Sequence, residues 1–246
     1  MVGEIVLGNK TLDIACLIHG NYYAWDYVDI LYQNIRNNLS CPIRFHVWTE
    51  KDRTVPPHMI KHALIEQYMD GPKKAWWYKT QLFNVKEYAG PIIYFDLDLM
   101  IIGDLNWMRK LPMEQFHAVR DFKCLWRKHR QAINSSIMAF DNRNFEHIWP
   151  KFRDNKDRLM HMYHGDQDYI NAEIIENRRY LPENKIESYR WQVLHGGMDF
   201  RTRTYPRQQE IDIEIQPDTA IIVFHGDPKP HEVNNSKLQP YWRLDK

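Results

Sequence analysis

Two aspartates, Asp96 and Asp98, stand one residue apart in the run "IIYFDLDLMIIGD" (Ile92 to Asp104). The Ile-Ile-Tyr-Phe before them reads as a strand entering a covered sheet, where a charge needs a polar or charged partner. Alternation along the strand points both carboxylates to one side at its C-terminal end, the edge at which open α/β sheets hold ligands. Two like charges so placed repel unless a cation lies between them, and oxygen donors of this kind suit a hard divalent ion, Mg2+ or Mn2+. The plainer alternative is a turn carrying two surface acids, with Asp104 of "IGDL" as a turn or helix-cap residue.

A second apolar strand, "IIVFHGDPKPHE", ends at His225. Placed near the first, His225 completes a two-Asp, one-His site whose imidazole suits Mn2+ somewhat better than Mg2+; alone, it reads as a hydrogen-bonded strand-end histidine. Gly226 permits close backbone approach, and the flanking prolines stiffen the loop that carries Lys229, an ammonium suited to clamping phosphate. In "HGDQDYIN" (His164 to Asn171), Gly165-Asp166 opens a helix and puts Gln167 and Asp168 in its first turn. Side chains there either favour the helix dipole or reach a ligand. The stretch "KKAWWYKTQLF" carries Lys73, Lys74 and Lys79, of which Lys79 is the candidate for a diphosphate contact. The dense basic run "RDFKCLWRKHRQ" (Arg120 to Gln131), interleaved with Trp126 and His129, is either a solvated loop or a seat for a phosphorylated acceptor or nucleic acid.

Elements that alternate between strand and helix must position these groups. "LDIACLIHG" (Leu12 to Gly20) has the length and flank of a buried strand. Trp25, Val28, Leu31, Tyr32 and Ile35 then recur at helical spacing, and "PIRFHVWTE" alternates as a second strand. This β-α-β opening predicts a parallel sheet with right-handed crossovers. After Pro56-Pro57 the spacing of Ile60, Leu64 and Tyr68 predicts a helix, and "AWWYKTQLFNVKEY" predicts another. "FHAVRD" and "NSSIMAFD" read as strands, "NFEHIWPKFRDN" and "GDQDYINAEII" as helices, and the chain beyond Arg178 as irregular with one alternating strand. Residues 1–246 are read as one α/β domain with a decorated C-terminal third.

Composition narrows the functions. The 246 residues carry 33 Lys+Arg against 32 Asp+Glu, so no global field attracts nucleic acid or an anionic membrane, and anion handling must be local. Nine Trp, fourteen Tyr and ten Phe supply ample core, which excludes a disordered chain. Cys16, Cys41 and Cys124 are scattered and form no CxxC pair, which argues against a zinc ribbon or a disulfide framework and for a reducing, cytoplasmic setting. No window approaches the roughly 20 apolar residues of a transmembrane span.

Taken in order, the β-α-β opening, the basic residue before the two aspartates, "YFDLDLMIIGDL", "NSSIMAFD", "DQDYIN" and "FHGDPKP" resemble the GT-A nucleotide-sugar glycosyltransferases. The similarity is closest to the glycogenin and lipopolysaccharide galactosyltransferase group, and it runs from about Leu12 to Glu232. The resemblance implies a Rossmann-like, mainly parallel sheet flanked by helices. It also implies a nucleoside-diphosphate sugar donor, a UDP-sugar first, and Mn2+ or Mg2+ held by Asp96, Asp98 and His225. Asp96 would also touch the ribose, Lys229 and Lys79 would meet the diphosphate, and His19, Asn21 and Tyr22 would hold the base. Asn134 matches the asparagine of the group's "NxGxxL" pattern, Asp166 and Gln167 match the pair that meets the donor sugar, and Asp121 matches a contact to its hydroxyls. Two features depart from the group: Ser136 replaces the glycine of "NxGxxL", and the His225–Lys229 spacing is two residues shorter, with no Trp after it.

The implied reaction moves the sugar, with retention, to a carbohydrate, glycolipid or other hydroxyl acceptor. The competing readings are a metal-dependent nucleotidyltransferase or phosphohydrolase, and a nucleic-acid-binding module built on Arg120 to Arg130 and Arg201 to Arg207. A glycosyltransferase that modifies nucleic acid would combine the last reading with the first.

Overall fold

Strands with apolar residues at consecutive positions are satisfied only where both faces of a sheet are covered. The computed structural model, which describes residues 10–65, 75–194 and 213–244, meets that demand with a mixed sheet between two layers. The described strands are β1 (Leu12–Leu17), β2 (Ile43–Thr49), β3 (Ile60–Ala63), β4 (Pro91–Phe95), β5 (Leu99–Ile101), β6 (Phe116–Arg120), β7 (Ile133–Asp141), β8 (Arg178–Tyr180), β9 (Ile186–Ser188) and β10 (Ile221–Val223). Seven of them form one sheet in the order β3-β2-β1-β4-β7-β6-β8, and β5-β10-β9 form a second. Strands β1 to β4 run parallel, β7 is antiparallel to both β4 and β6, and β8 is parallel to β6.

Alternation sorts the side chains between the layers. Ile93 and Phe95 of β4 with Ile137 and Ala139 of β7 join the cluster that packs α1 (Asp26–Asn38), whereas Ile92, Tyr94, Met138 and Phe140 face Trp77, Phe83 and Phe116. The second layer is closed by α2 (Ile148–Met162) and α3 (Asp166–Glu173). The predicted β-α-β opening, the strands "FHAVRD" and "NSSIMAFD", and the helix at "GDQDYINAEII" are all present.

Three expectations change. Ile60 and Leu64 do not start a helix, because residues 60–63 pair instead with the free edge of β2. Only His62 of β3 points inward, where it stacks on Trp48 at 4.1 Å and hydrogen-bonds His46 at 2.9 Å. The four-residue apolar spacing thus belongs to an edge strand and the turn after it; Tyr68, Lys73 and Lys74 lie outside the described residues. "AWWYKTQLFNVKEY" is a tight 3-10 segment over Ala75–Phe83 rather than one continuous helix. The strand read at Ile-Ile-Tyr-Phe does not carry the two aspartates, so strand alternation does not orient them: β4 ends at Phe95 in the large sheet, β5 begins at Leu99 in the small one, and Asp96 to Asp98 lie between. Residues 195–212, with most of the alternating strand expected late in the chain and Arg201 to Arg207, lie outside the described residues.

One buried polar side chain sets the entry into β4. Asn142 donates to the carbonyls of Leu82 (3.1 Å) and Tyr88 (2.6 Å), and its amide oxygen accepts from Gly90 N–H (3.0 Å). Asn142→Ala leaves these three backbone groups without that partner, and the expected cost is about 3 kcal/mol in urea unfolding.

Candidate active site

Strand register assembles the site. Because β1 and β4 are parallel neighbours, the residues that follow each of them, His19 to Tyr23 and Asp96 to Asp98, emerge at the same sheet edge. β7 runs the other way, so its beginning, Asn134 to Ser136, starts from that edge, and Arg120, paired with Ile133, brings Asp121 to it as well. Between Ala118 and Val119 the β6–β7 register jumps, and Ser135 to Ile137 drop out of that pairing. Such irregularities re-aim side chains. Here the Ser135 hydroxyl lies 3.2 Å from Lys79 Nζ and 3.0 Å from Asp166 Oδ2.

Two lysines and three acids occupy the centre. Lys79 Nζ lies 2.8 Å from Asp96 Oδ1 and 3.8 Å from Asp166 Oδ2. Burial alone would lower the Lys79 pKa, but Asp96 and Asp166 outweigh it and raise it, so the ammonium stays charged inside the protein. Lys229 Nζ donates to Asp98 Oδ2 at 2.6 Å, with Tyr23 OH donating to the same oxygen at 3.0 Å. Burial and then the nearby Asp96 charge push the Asp98 pKa up, against the pull of Lys229. Asp166 is likewise raised by burial, with Lys79 opposing. Tyr94 OH donates to Asp96 Oδ1 at 2.7 Å, and Gln167 Oε1 accepts from Ser135 N–H at 3.2 Å. Asn134 caps its own turn by accepting from Ser136 N–H at 3.0 Å.

The rim is built by the loop after β1. His19 packs against Tyr78 with ring centres 4.4 Å apart, Tyr22 is exposed, and Lys229 Nζ lies over the rings of Tyr22 and Tyr23 at 5.8 and 5.5 Å. Asn21 is exposed next to Gly20, whose φ of +66° is a left-handed turn that favours glycine. Glu50 and Arg53 clamp that turn, Glu50 Oε1 accepting from Gly20 N–H and Arg53 Nη2 donating to Gly20 O at 2.6 Å. Burial works against the Glu50 charge, but hydrogen bonds led by Arg53 and Thr49 prevail and lower its pKa to about 2. A depressed carboxylate contributes stability above its unfolded pKa, near 4.5 here, and loses it as pH falls toward about 2. Glu50→Gln is therefore expected to cost about 2 kcal/mol in urea melts at pH 7, with the gap to the parent protein narrowing below about pH 4.5.

His225 and Asp121 stand beside this centre with their polar atoms already engaged. His225 Nε2 meets Ser188 Oγ at 2.6 Å, and its ring stacks on Phe122 (5.2 Å) and lies against Trp191 (4.2 Å). Burial, and secondly the charge of Arg190, push its pKa down to about 3, so the ring is neutral. Asp121 accepts from Arg130 Nε at 2.5 Å and from Lys123 N–H at 3.0 Å. Gly226 has φ +86°, and an added Cβ would overlap the Arg190 guanidinium, so the close approach foreseen for this glycine is to that side chain. Among the described residues no three His, Cys, Asp or Glu side chains cluster closely enough to hold a metal. Asp96 and Asp98 present the hard oxygen donors a dication takes, but here the cations that meet them are the ammonium groups of Lys79 and Lys229.

The structure thus joins Lys79 to Asp96 and Asp166, and Lys229 to Asp98, at one sheet edge, with Gln167 and Asn134 reached through Ser135 and Ser136. Sequence reasoning did not single out Tyr23, Tyr94, Ser135, Glu50 or Ser188. Of these, Ser135 carried a local signal, as a polar residue at the start of an apolar strand.

No protein-family model and no curated protein matches the sequence. Solved structures do match in fold. A galactosyltransferase LgtC crystallised with donor and acceptor sugar analogues aligns over 89% of this chain and 89% of its own, at 13% identity and a TM-score of 0.63. The glycosyltransferase GlyE of Streptococcus pneumoniae TIGR4 aligns over 96% of this chain at 17% identity and TM-score 0.67, this chain spanning 61% of its length. The bifunctional glycosyltransferase WbbM aligns over 89% of this chain and 46% of its own, at 11% identity and TM-score 0.61. With its mixed seven-stranded sheet flanked by helices, and aligned over at least 89% of its length with each of these glycosyltransferases, the chain has the GT-A glycosyltransferase fold.

Proposed function

We propose that this chain, as one GT-A-like domain over residues 1–246, is a metal-dependent glycosyltransferase. It would move a sugar from a nucleoside-diphosphate sugar, a UDP-sugar first, to the hydroxyl of a carbohydrate, glycolipid or other acceptor, with retention of configuration. The observation that carries this reading is the convergence of Asp96, Asp98 and Asp166 with the buried ammonium groups of Lys79 and Lys229 at the ligand-holding edge of a sheet of this fold. The LgtC structure holds donor and acceptor sugar analogues, which supports a sugar donor and a sugar acceptor here. Cys16 and Cys41 as buried free thiols support a reducing, cytoplasmic setting.

The chemistry follows from charge. The acceptor oxygen bonds to the anomeric carbon as the bond from that carbon to the β-phosphate oxygen breaks; the diphosphate leaves with the electron pair and takes up the acceptor proton. Lys229 and Lys79 would neutralise the charge that grows on the diphosphate, which lowers the barrier. Asp96 and Asp98 would hold Mn2+ or Mg2+; His225, whose Nε2 lies on Ser188 Oγ, is the third ligand that the resemblance implies. When bound, the ion acts as a Lewis acid on the diphosphate oxygens. Asp166 and Gln167 would face the cationic, oxocarbenium-like sugar, and Asp121 its hydroxyls. His19, Asn21 and Tyr22 would receive the base.

A thermal-shift screen of UDP, GDP, CDP and their sugar conjugates, with and without Mn2+, tests this reading. Stabilisation by one nucleotide series that requires the ion is the expected result. A well-folded protein unmoved by every pair overturns it.

A further inference from the structure

The basic run foreseen from the sequence is rooted in the active site at both ends. It leaves β6 at Asp121 and returns at the start of β7, one residue before Asn134. Asp121 N–H donates to Ala132 O at 2.9 Å, and Arg130 pairs with the Asp121 carboxylate, so the ends of the segment are tied together. Arg178 Nη1 holds the return arm through Gln131 O at 2.8 Å. The tip is therefore presented from a fixed base beside Asp121.

Four of its basic side chains are exposed and, among the described residues, lack acidic partners. Lys123, Arg127, Lys128 and His129 are exposed, and none of them has a carboxylate within ion-pair distance among the described residues. Trp126, 37% exposed, stands among them and packs edge-on against Trp191 at 4.7 Å. Trp191 in turn meets His225, so one aromatic wall of Trp126, Trp191, His225 and Phe122 runs from the basic tip to His225, four residues before Lys229. Trp126 and residues 127–130 line a single open depression. An exposed aromatic face offers a sugar ring a stacking surface, and uncompensated cations beside it offer a phosphate its charge-assisted hydrogen bonds.

We propose that Lys123 to Arg130 forms the acceptor-side wall of the site and selects a saccharide that bears a phosphate group, with the sugar against Trp126 and the phosphate held by Lys123, Arg127 and Lys128. This inference rests on the glycosyltransferase reading for the word acceptor, but not for the recognition of a phosphorylated sugar. A saccharide phosphate suits the surface better than nucleic acid, because the segment offers one aromatic platform and one short cluster of charge on a chain of formal charge +1.

Isothermal titration calorimetry with 4-nitrophenyl galactoside 6-phosphate, its unphosphorylated parent and a ten-nucleotide single-stranded DNA, each at 50 and 200 mM salt, tests the proposal. The phosphorylated glycoside is expected to bind at least tenfold more tightly than its parent at the lower salt. That advantage should vanish in Lys123→Ala/Arg127→Ala/Lys128→Ala, and Trp126→Ala should weaken both glycosides. Equal affinity for the two glycosides, an advantage that survives in the triple variant, or tighter variant-sensitive binding of the DNA overturns it. Titration with UDP and Mn2+ separates this inference from the functional reading. UDP binding that persists beside a failed phosphosugar result removes the acceptor inference alone, whereas variant-sensitive phosphosugar binding without UDP binding removes the glycosyltransferase reading alone.

Discussion

Asp98→Asn is expected to lower kcat/KM for sugar transfer by about 1,000-fold while leaving stability within about 1 kcal/mol of the parent protein. The two halves of this expectation have one cause. Asp98 is buried close to Asp96, and both circumstances work against its ionised form, so an uncharged isostere relieves a cost as well as losing an ion pair. The asparagine still offers an oxygen to Lys229 Nζ, now 2.6 Å from the carboxylate, and to Tyr23 OH. What it cannot supply is the negative charge that would help hold a dication beside the diphosphate. Initial rates and urea unfolding of the same preparation measure both quantities. A parallel loss of stability would show that Asp98 acts chiefly as a structural residue.

Lys79→Met reverses that pattern, with an expected loss of about 4 kcal/mol in unfolding free energy. Lys79 is buried and compensates two carboxylates, lying 2.8 Å from Asp96 and 3.8 Å from Asp166. Methionine fills much of the volume but strands both acids, and Asp166 already has a raised pKa because of its burial. The double variant Lys79→Met/Asp166→Asn should recover part of the loss, since it removes one of the stranded charges. Chemical unfolding of the single and double variants checks this. A single variant as stable as the parent would mean that solvent, not Lys79, neutralises the pair.

The fold and the grouping of the candidate residues were legible because local chemistry announces them. A carboxylate pair at the end of an apolar run, a lysine held between prolines and a β-α-β opening each carry their reason in neighbouring residues. Lys79 accordingly lies with Asp96 and Asp166, and Lys229 with Asp98, at one edge of the sheet. Groups that act through distant partners were not legible. Tyr23 reaches Asp98 across 75 positions, Ser188 reaches His225 across 37, and Glu50 shapes Gly20 across 30. No spacing rule sees such pairs. The split of Ile92 to Asp104 between two sheets was hidden for a related reason. The apolar residues on either side of Asp96 to Asp98 have the same local pattern, and only β10, which pairs with β5 from more than 100 residues away, separates them. The edge strand β3 was misread because Ile60 and Leu64 also satisfy helical spacing, while the free edge of β2 that recruits it is a tertiary fact.

On the proposed reading the Asp96–Asp98 centre receives a nucleoside diphosphate together with a dication. Isothermal titration calorimetry of UDP into the parent protein and Asp98→Asn, with Mn2+ and with EDTA, tests it most directly. Binding to the parent that requires Mn2+ and weakens at least 100-fold in Asp98→Asn is the predicted result. Equal binding by the two proteins, or UDP binding undiminished by EDTA, would contradict it.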